Sequence, residues 1–460
     1  MEMMNQAGWV RKAAAAFVLL GAASLAQADN AFTQPDGAFT GNVRLSQQQP
    51  VYAGTQAAVA GSNFKPGQQI TLERGRTVLN AQPYVADAEG KFSGNIAIPQ
   101  NAVVGMQPVV VKVSGPDAAL VFNLKVSPQV ALSGQNLFEI EKTQPASGLY
   151  QSAYSEANKA LFVTASVGRP PVRDAHILRL NPQTLAVEAS VVPDEADERS
   201  GLYAVYGVAV DDKHGTVWVT NTRQGTVTVY SQKDLSLIKR FENGSIPAGR
   251  DVVIDAANNK AYISSPGSGN IYVADTDKLE LIGEIAVSSK VPRGSFKPMS
   301  LSLDAAAHKL YTVSMGTAEA AVINTTTGTV EQVYAIPGLA GGAGVSINSK
   351  DNLLLVTGQN SDGVFIVDTQ TGNVLHQVAT GAGALNVAYN PHDGLAYVAN
   401  RGAGTVTAVD SKGQVVANLD IGPNVNHISV DKRGNLYVAN KAQGENNPRN
   451  DQLTRLTPVK

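Results

Sequence analysis

The chain has 460 residues, with 36 Lys and Arg against 38 Asp and Glu for a formal charge of −2, and it contains no cysteine. That length exceeds one ordinary core, and the charge balance excludes a globally basic nucleic-acid binder while leaving room for a local basic patch. The missing thiols remove disulfides, thiolate catalysis and Cys-zinc sites together.

At the N-terminus, Arg11 and Lys12 precede an apolar run at 13–20 and an Ala-Gln-Ala site at 26–28. This order is that of a Sec-type secretory leader cleaved after Ala28. The run is too short and Ala-rich for a good membrane span. The expected location is the bacterial periplasm, with secretion as the alternative. Residues 29–40 read as a flexible lead.

Residues 41–128 alternate strand-like runs with turns. The runs fall at 43–45, 57–60, 69–74, 81–85, 92–98, 109–114 and 120–126, separated by Lys65-Pro66-Gly67, Glu89-Gly90-Lys91 and Ser114-Gly115-Pro116. This spacing predicts a cysteine-free immunoglobulin-like β-sandwich. Its expected core is Phe64, Ile70, Leu72, Phe92, Ile96 and Ile98. Residues 129–135 read as a linker.

From 136 to 460 one pattern recurs. It reads GLAYVANR at 394–401, GNLYVANK at 434–441 and TVWVTN at 216–221, with weaker copies at 159–163, 259–263, 309–313 and 352–356. A short apolar run ending in Ser155, Asp211, Asp255, Asp304, Asn348, Asn390 or Asp431 precedes each copy. Repeats of about 40–50 residues built of short strands mark a β-propeller, one repeat per blade. The expected class is therefore all-β, a sandwich followed by seven blades. Blades are packed on both faces, so the apolar second strands, Trp218 included, are expected to be inter-blade core. The last repeat lacks a strand, and residues 137–141 belong to no other blade, so they are expected to close the ring.

With the blades phased, the propeller resembles the YVTN-repeat proteins, in particular their periplasmic YncE-like branch. The resemblance rests on Tyr397-Val398-Ala399-Asn400, Tyr150-Gln151-Ser152-Ala153-Tyr154-Ser155, Gly249-Arg250-Asp251, Asn400-Arg401-Gly402-Ala403-Gly404 and the blade end at 367–373. It covers the propeller and none of the first domain. It implies seven blades, a periplasmic location, no enzymatic activity, single-stranded DNA binding at the channel mouth and a link to iron or metal uptake.

Strand direction puts the loops entering the inner strands and the loops between second and third strands on one face. That face collects Arg169, Arg173, Arg223, Arg250, Arg293, Lys297, Arg401 and Lys441, with Tyr150, Tyr206, Asn386, Asn426 and His427 where inner strands begin. From these, Tyr150, Tyr206, Arg223, Arg250, Lys297, Asn386, Arg401, Asn426, His427 and Lys441 form the candidate ligand site. Guanidinium groups, aromatic faces and amides together suit an anion or a nucleobase. Asp194, Glu195, Asp197 and Glu198 share the face, so a mixed solvated rim remains the alternative. A lone channel histidine makes no zinc site, and phosphate-loop, nucleophile-elbow and HExxH motifs do not occur. No cofactor or metal is expected. The leading expectation is a non-catalytic binding protein with single-stranded DNA or another anion as ligand, and an outer-membrane uptake receptor or other envelope protein as a possible partner. The alternatives are a metal-dependent propeller lactonase or lyase and a protein–protein scaffold.

Overall fold

The structure, a computed structural model, describes residues 37–444 and 447–459. The leader at 1–28 and most of the lead lie outside the described residues. The chain divides into two compact units, 1–126 and 127–460.

The described residues of the first unit hold eight strands: β1 (Asn42–Leu45), β2 (Gln56–Ser62), β3 (Gln69–Arg74), β4 (Thr77–Val78), β5 (Tyr84–Val85), β6 (Phe92–Ala97), β7 (Gly105–Ser114) and β8 (Ala118–Val126). They form two antiparallel sheets, β1-β2-β6 and β4-β3-β7-β8 with β5 on β3. Alternation drives the burial: Val109, Val111 and Val113 of β7 point inward while their neighbours face water. Phe64, Ile70, Leu72, Phe92, Ile96 and Ile98 all lie in the one core shared by the two sheets. The run at 81–85 gives only a two-residue strand. Asn80 takes over part of the ladder, accepting the Leu72 N–H at 2.8 Å and donating to the Ile70 carbonyl at 3.0 Å.

Among the described residues, the second unit holds seven four-stranded antiparallel sheets and one two-stranded hairpin. Their inner strands are Leu149–Ser155, Val208–Asp211, Val252–Asp255, Pro298–Asp304, Gly342–Asn348, Ala384–Asn390 and Val425–Val430. Each inner strand contacts the next, and the last contacts the first, which makes a ring of seven blades. The second strands are almost wholly buried, and Thr216–Asn221 is buried from end to end. Trp218, Tyr262, Tyr397 and Tyr437 are among the largest fully buried side chains. The polar residues that end the inner strands cap hairpins. Asp431 accepts the N–H groups of Arg433 and Asn435, each at 2.9 Å, and Asn390 accepts that of His392 at 3.1 Å.

The last blade takes its outer strand from the other end of the unit. Phe138–Thr143 pairs antiparallel with Leu453–Pro458, from Phe138 opposite Pro458 to Thr143 opposite Leu453. The segment before it is anchored too. Ser133 and Asn418 exchange both backbone hydrogen bonds at 3.0 Å, and Asn418 Nδ2 donates to the Val130 carbonyl. A small hairpin, Glu195–Asp197 with Gly201–Leu202, stands between blades one and two.

Candidate functional site at the channel mouth

The inner-strand starts carry two kinds of residue. Gly344, Asn386 and His427 pair with the penultimate residues of their second strands, Thr357, Ala399 and Ala439. Gln151, Gly207, Asp251 and Ser300 take the corresponding place, one residue before Ser152, Val208, Val252 and Leu301, which pair with Val163, Val219, Ile263 and Thr312. Four of these clip one blade to the next. Gln151 accepts the Val208 N–H at 3.1 Å, Asp251 the Leu301 N–H at 2.9 Å, Asn386 the Ile428 N–H at 2.9 Å, and His427 Nδ1 the Ser152 N–H at 3.3 Å. At the two glycines the neighbouring backbone comes too close for a side chain. A Cβ on Gly207 would lie 2.6 Å from the Arg250 carbonyl, and one on Gly344 would lie 2.8 Å from Cα of Asn386.

Gln151, Asp251, Ser300, Asn386 and His427 line a cavity of about 550 Å³. Burial there, joined by the charge of Arg250, pushes the His427 imidazole well below its usual range, so it stays neutral. Burial likewise raises the Asp251 carboxyl. Among the described residues no group of three His, Asp or Glu side chains is placed to hold a metal ion.

The cations stand farther out, on loops. Hydroxyls of the second strands hold the loop backbone: Thr164 Oγ1 donates to the Tyr206 carbonyl at 2.5 Å and Thr220 Oγ1 to the Arg250 carbonyl at 3.2 Å. Tyr150 and Tyr206 meet edge to face at 4.6 Å. Arg223 donates through Nε to the Tyr206 hydroxyl at 2.6 Å and through Nη2 to the Gly168 carbonyl at 2.7 Å. The Arg250 guanidinium carbon lies 4.9 Å, and Lys441 Nζ 4.2 Å, from the centre of the Tyr150 ring. Asn426 Nδ2 fixes the Tyr150 carbonyl at 2.7 Å.

Loops of blades one, two, three and seven therefore converge on one aromatic pair, and Arg401 of blade six acts on Lys441 through its charge. Among the described residues, none of Arg223, Arg250, Arg401 and Lys441 lies within ion-pair distance of a carboxylate. Nη1 of Arg250 is buried without a hydrogen-bond partner among the described residues. Lys441 loses affinity for its proton through burial and through the charges of Arg401, Arg250 and Arg223, against the opposing pull of Asp451. That carboxylate is already engaged by the Gly148 and Ala442 N–H groups, at 2.9 and 3.1 Å.

The structure thus brings Tyr150, Tyr206, Arg223, Arg250, Arg401 and Lys441 together. Asn386 and His427 act as ties in the channel wall, and Asn426 ties the last blade to the first at the Tyr150 carbonyl. Lys297 stands at the start of the fourth inner strand, and no interaction draws it into the cluster; its N–H and carbonyl bind Ser314 and Met315. Of the acidic rim, Asp194 pairs with Arg240, which stacks on Tyr203, and Asp197 caps the N–H groups of Arg199 and Ser200. Gln151 was not among the expected site residues. Its equivalence to Asn386 emerges once the blades are in register.

No known family profile matches the chain. The uncharacterized protein YncE of Salmonella typhi is 29% identical over 310 residues, 64% of this chain and 83% of that protein. YncE of Escherichia coli K12 is 28% identical over 275 residues, 57% and 73% of the two chains. In sequence, the chain is YncE-like. Solved structures with a similar fold include Staphylococcus aureus virginiamycin B lyase, TM-score 0.54 and 15% identity over 70% of this chain and 100% of the other. Kuenenia stuttgartiensis hydrazine synthase aligns with TM-score 0.54 and 17% identity over 64% and 93%. At these identities the likeness extends to the fold and to no chemistry.

Proposed function

We propose that the protein is a YncE-family binding protein whose propeller mouth takes an anionic ligand without catalysis. The observation behind this reading is the cation cluster around Tyr150, which has no carboxylate ion pair among the described residues and leaves Nη1 of Arg250 buried and unbonded. An unmade buried donor costs about 1–3 kcal/mol, and gathered like charges repel. An anion at the mouth relieves both, and guanidinium groups match carboxylate and phosphate geometry. Single-stranded nucleic acid is the polymeric ligand of this class. Tyr150 already carries Arg250 and Lys441 against its ring, so phosphate contacts rather than base stacking on Tyr150 would dominate.

The leader sequence supports export to the periplasm. Two antiparallel sheets around one core support an immunoglobulin-like assignment for the first unit, with an adaptor role toward an envelope partner. The test is binding of a labelled oligonucleotide, inorganic phosphate and citrate at two salt concentrations, to the native chain and to Arg250→Ala. Binding that weakens with salt and drops in the variant is expected. No anion bound at low salt overturns the reading.

A further inference from the structure

Lys441 differs from the other cations of the mouth. It follows the second strand of the last blade, Leu436–Asn440, and its N–H donates to the Asn424 carbonyl at 3.1 Å, which fixes the root of the side chain. Its Nζ rests 4.2 Å from the centre of the Tyr150 ring and meets no carboxylate at ion-pair distance among the described residues. The groups that act on it are Arg401, Arg250 and Arg223, all cationic, and Asp451, whose carboxylate is held by two backbone N–H groups. Burial and the three arginines push its ammonium group down to about 7. At neutral pH about half of such an amine is unprotonated, against about one in 2500 for an ordinary lysine. A lysine activated by cationic neighbours is the usual origin of a carbonyl-condensing amine.

We infer that Lys441 condenses reversibly with the carbonyl group of a small anionic aldehyde or 2-oxo acid, whose carboxylate the mouth arginines hold. This rests on the anion-binding reading and names the ligand class. The geometry suits it because Arg250 and Lys441 pack against the same ring, with the guanidinium carbon at 4.9 Å and the amine at 4.2 Å from its centre. A 2-oxo acid carries carboxylate and carbonyl on adjacent carbons, so one molecule presents an anion to the arginine and an electrophile to the amine. In the step, the nitrogen lone pair forms a bond to the carbonyl carbon. The carbonyl oxygen takes up the proton the nitrogen sheds, and the carbinolamine loses water to leave a C=N bond. No oxidant, reductant or metal enters the balance.

The experiment incubates the full chain with glyoxylate and sodium cyanoborohydride at pH 7, then locates the reduced adduct by peptide mass spectrometry. Propionaldehyde serves as the uncharged comparator. The expected result is glyoxylate labelling of Lys441 at least about tenfold faster than of the other lysines, lost in Lys441→Arg and weakened in Arg250→Gln. Propionaldehyde should keep the share of the preference that comes from the unprotonated amine, lack the share that comes from the arginines' hold on a carboxylate, and be insensitive to a carboxylate competitor. Thermal melts establish that both variants remain folded. Calorimetric binding of oxalate, which has the charge but no reactive carbonyl, separates the two readings. If oxalate binds but Lys441 shows no preferential labelling, condensation is overturned and the anion site stands. If neither is seen, both fall.

Discussion

The ring is closed by a strand whose removal has a calculable cost. Phe138–Thr143 lies in register with Leu453–Pro458 over six residue pairs. At about 1 kcal/mol net per ladder hydrogen bond, this pairing contributes about 6 kcal/mol. Phe138 is buried and meets Tyr397 edge to face at 6.0 Å, so its loss adds about 3–5 kcal/mol. Together these approach the whole stability of a typical domain. A chain beginning at Ser127 keeps the strand and the Ser133–Asn418 bridge, whereas one beginning at Gln144 loses both. The first should melt with the full-length propeller, and the second on the order of 10–20 °C lower or not fold at all. Trp218 is the single tryptophan in both truncated chains, so its fluorescence reports the propeller alone. Equal unfolding midpoints for the two truncations would refute the closure argument.

Three further outcomes follow from named contacts. Trp218 is fully buried, donates to Thr216 Oγ1 at 3.1 Å and packs on Phe241, so Trp218→Ala should cost about 3–5 kcal/mol in urea melts and leave the anion affinity of the folded fraction unchanged. His427 is held neutral in the fold, so the unfolded chain binds a proton that the native chain refuses. Stability should therefore fall as pH drops below about 6.5, by at most about 1.4 kcal/mol per pH unit, and His427→Gln should flatten that limb in melts across pH 4 to 7. Arg250→Ala should weaken oligonucleotide binding and reduce the salt slope by about 0.7, measured by anisotropy across a salt series.

What the sequence revealed depended on how locally each feature is determined. The second strands are legible because burial on both faces demands an unbroken apolar run, as in Val217-Trp218-Val219. The closing strand follows from counting, since one blade is a strand short and one strand has no blade. The clips are not legible in the same way. Gln151, Asp251, Asn386 and His427 are chemically unlike one another and share only a slot opposite the neighbouring blade, so their common role appears when inner strands stand side by side. The short β5 reflects Asn80, whose side chain replaces a ladder partner and carries no strand signal. Lys441, Arg401 and Arg250 lie in separate repeats, and only ring closure brings their charges within reach of one another.

The mouth sits on the seam where the two ends of the propeller meet, and this separates two otherwise similar carboxamides. Asn386 and Asn426 are both buried, and each makes one hydrogen bond between blades. Replacing either with alanine strands a buried backbone group, at about 1–3 kcal/mol. Asn386 serves the Ile428 N–H, on the wall below the cations. Asn426 reaches from the last blade to the Tyr150 carbonyl and so positions the ring against which Arg250 and Lys441 pack. Comparable losses in thermal stability are therefore expected for Asn386→Ala and Asn426→Ala, while only Asn426→Ala should weaken anion binding. The measurement is phosphate or oligonucleotide affinity at a temperature where both variants are fully folded. Unchanged affinity in Asn426→Ala, or an equal loss in both, would show that Tyr150 does not organise the mouth.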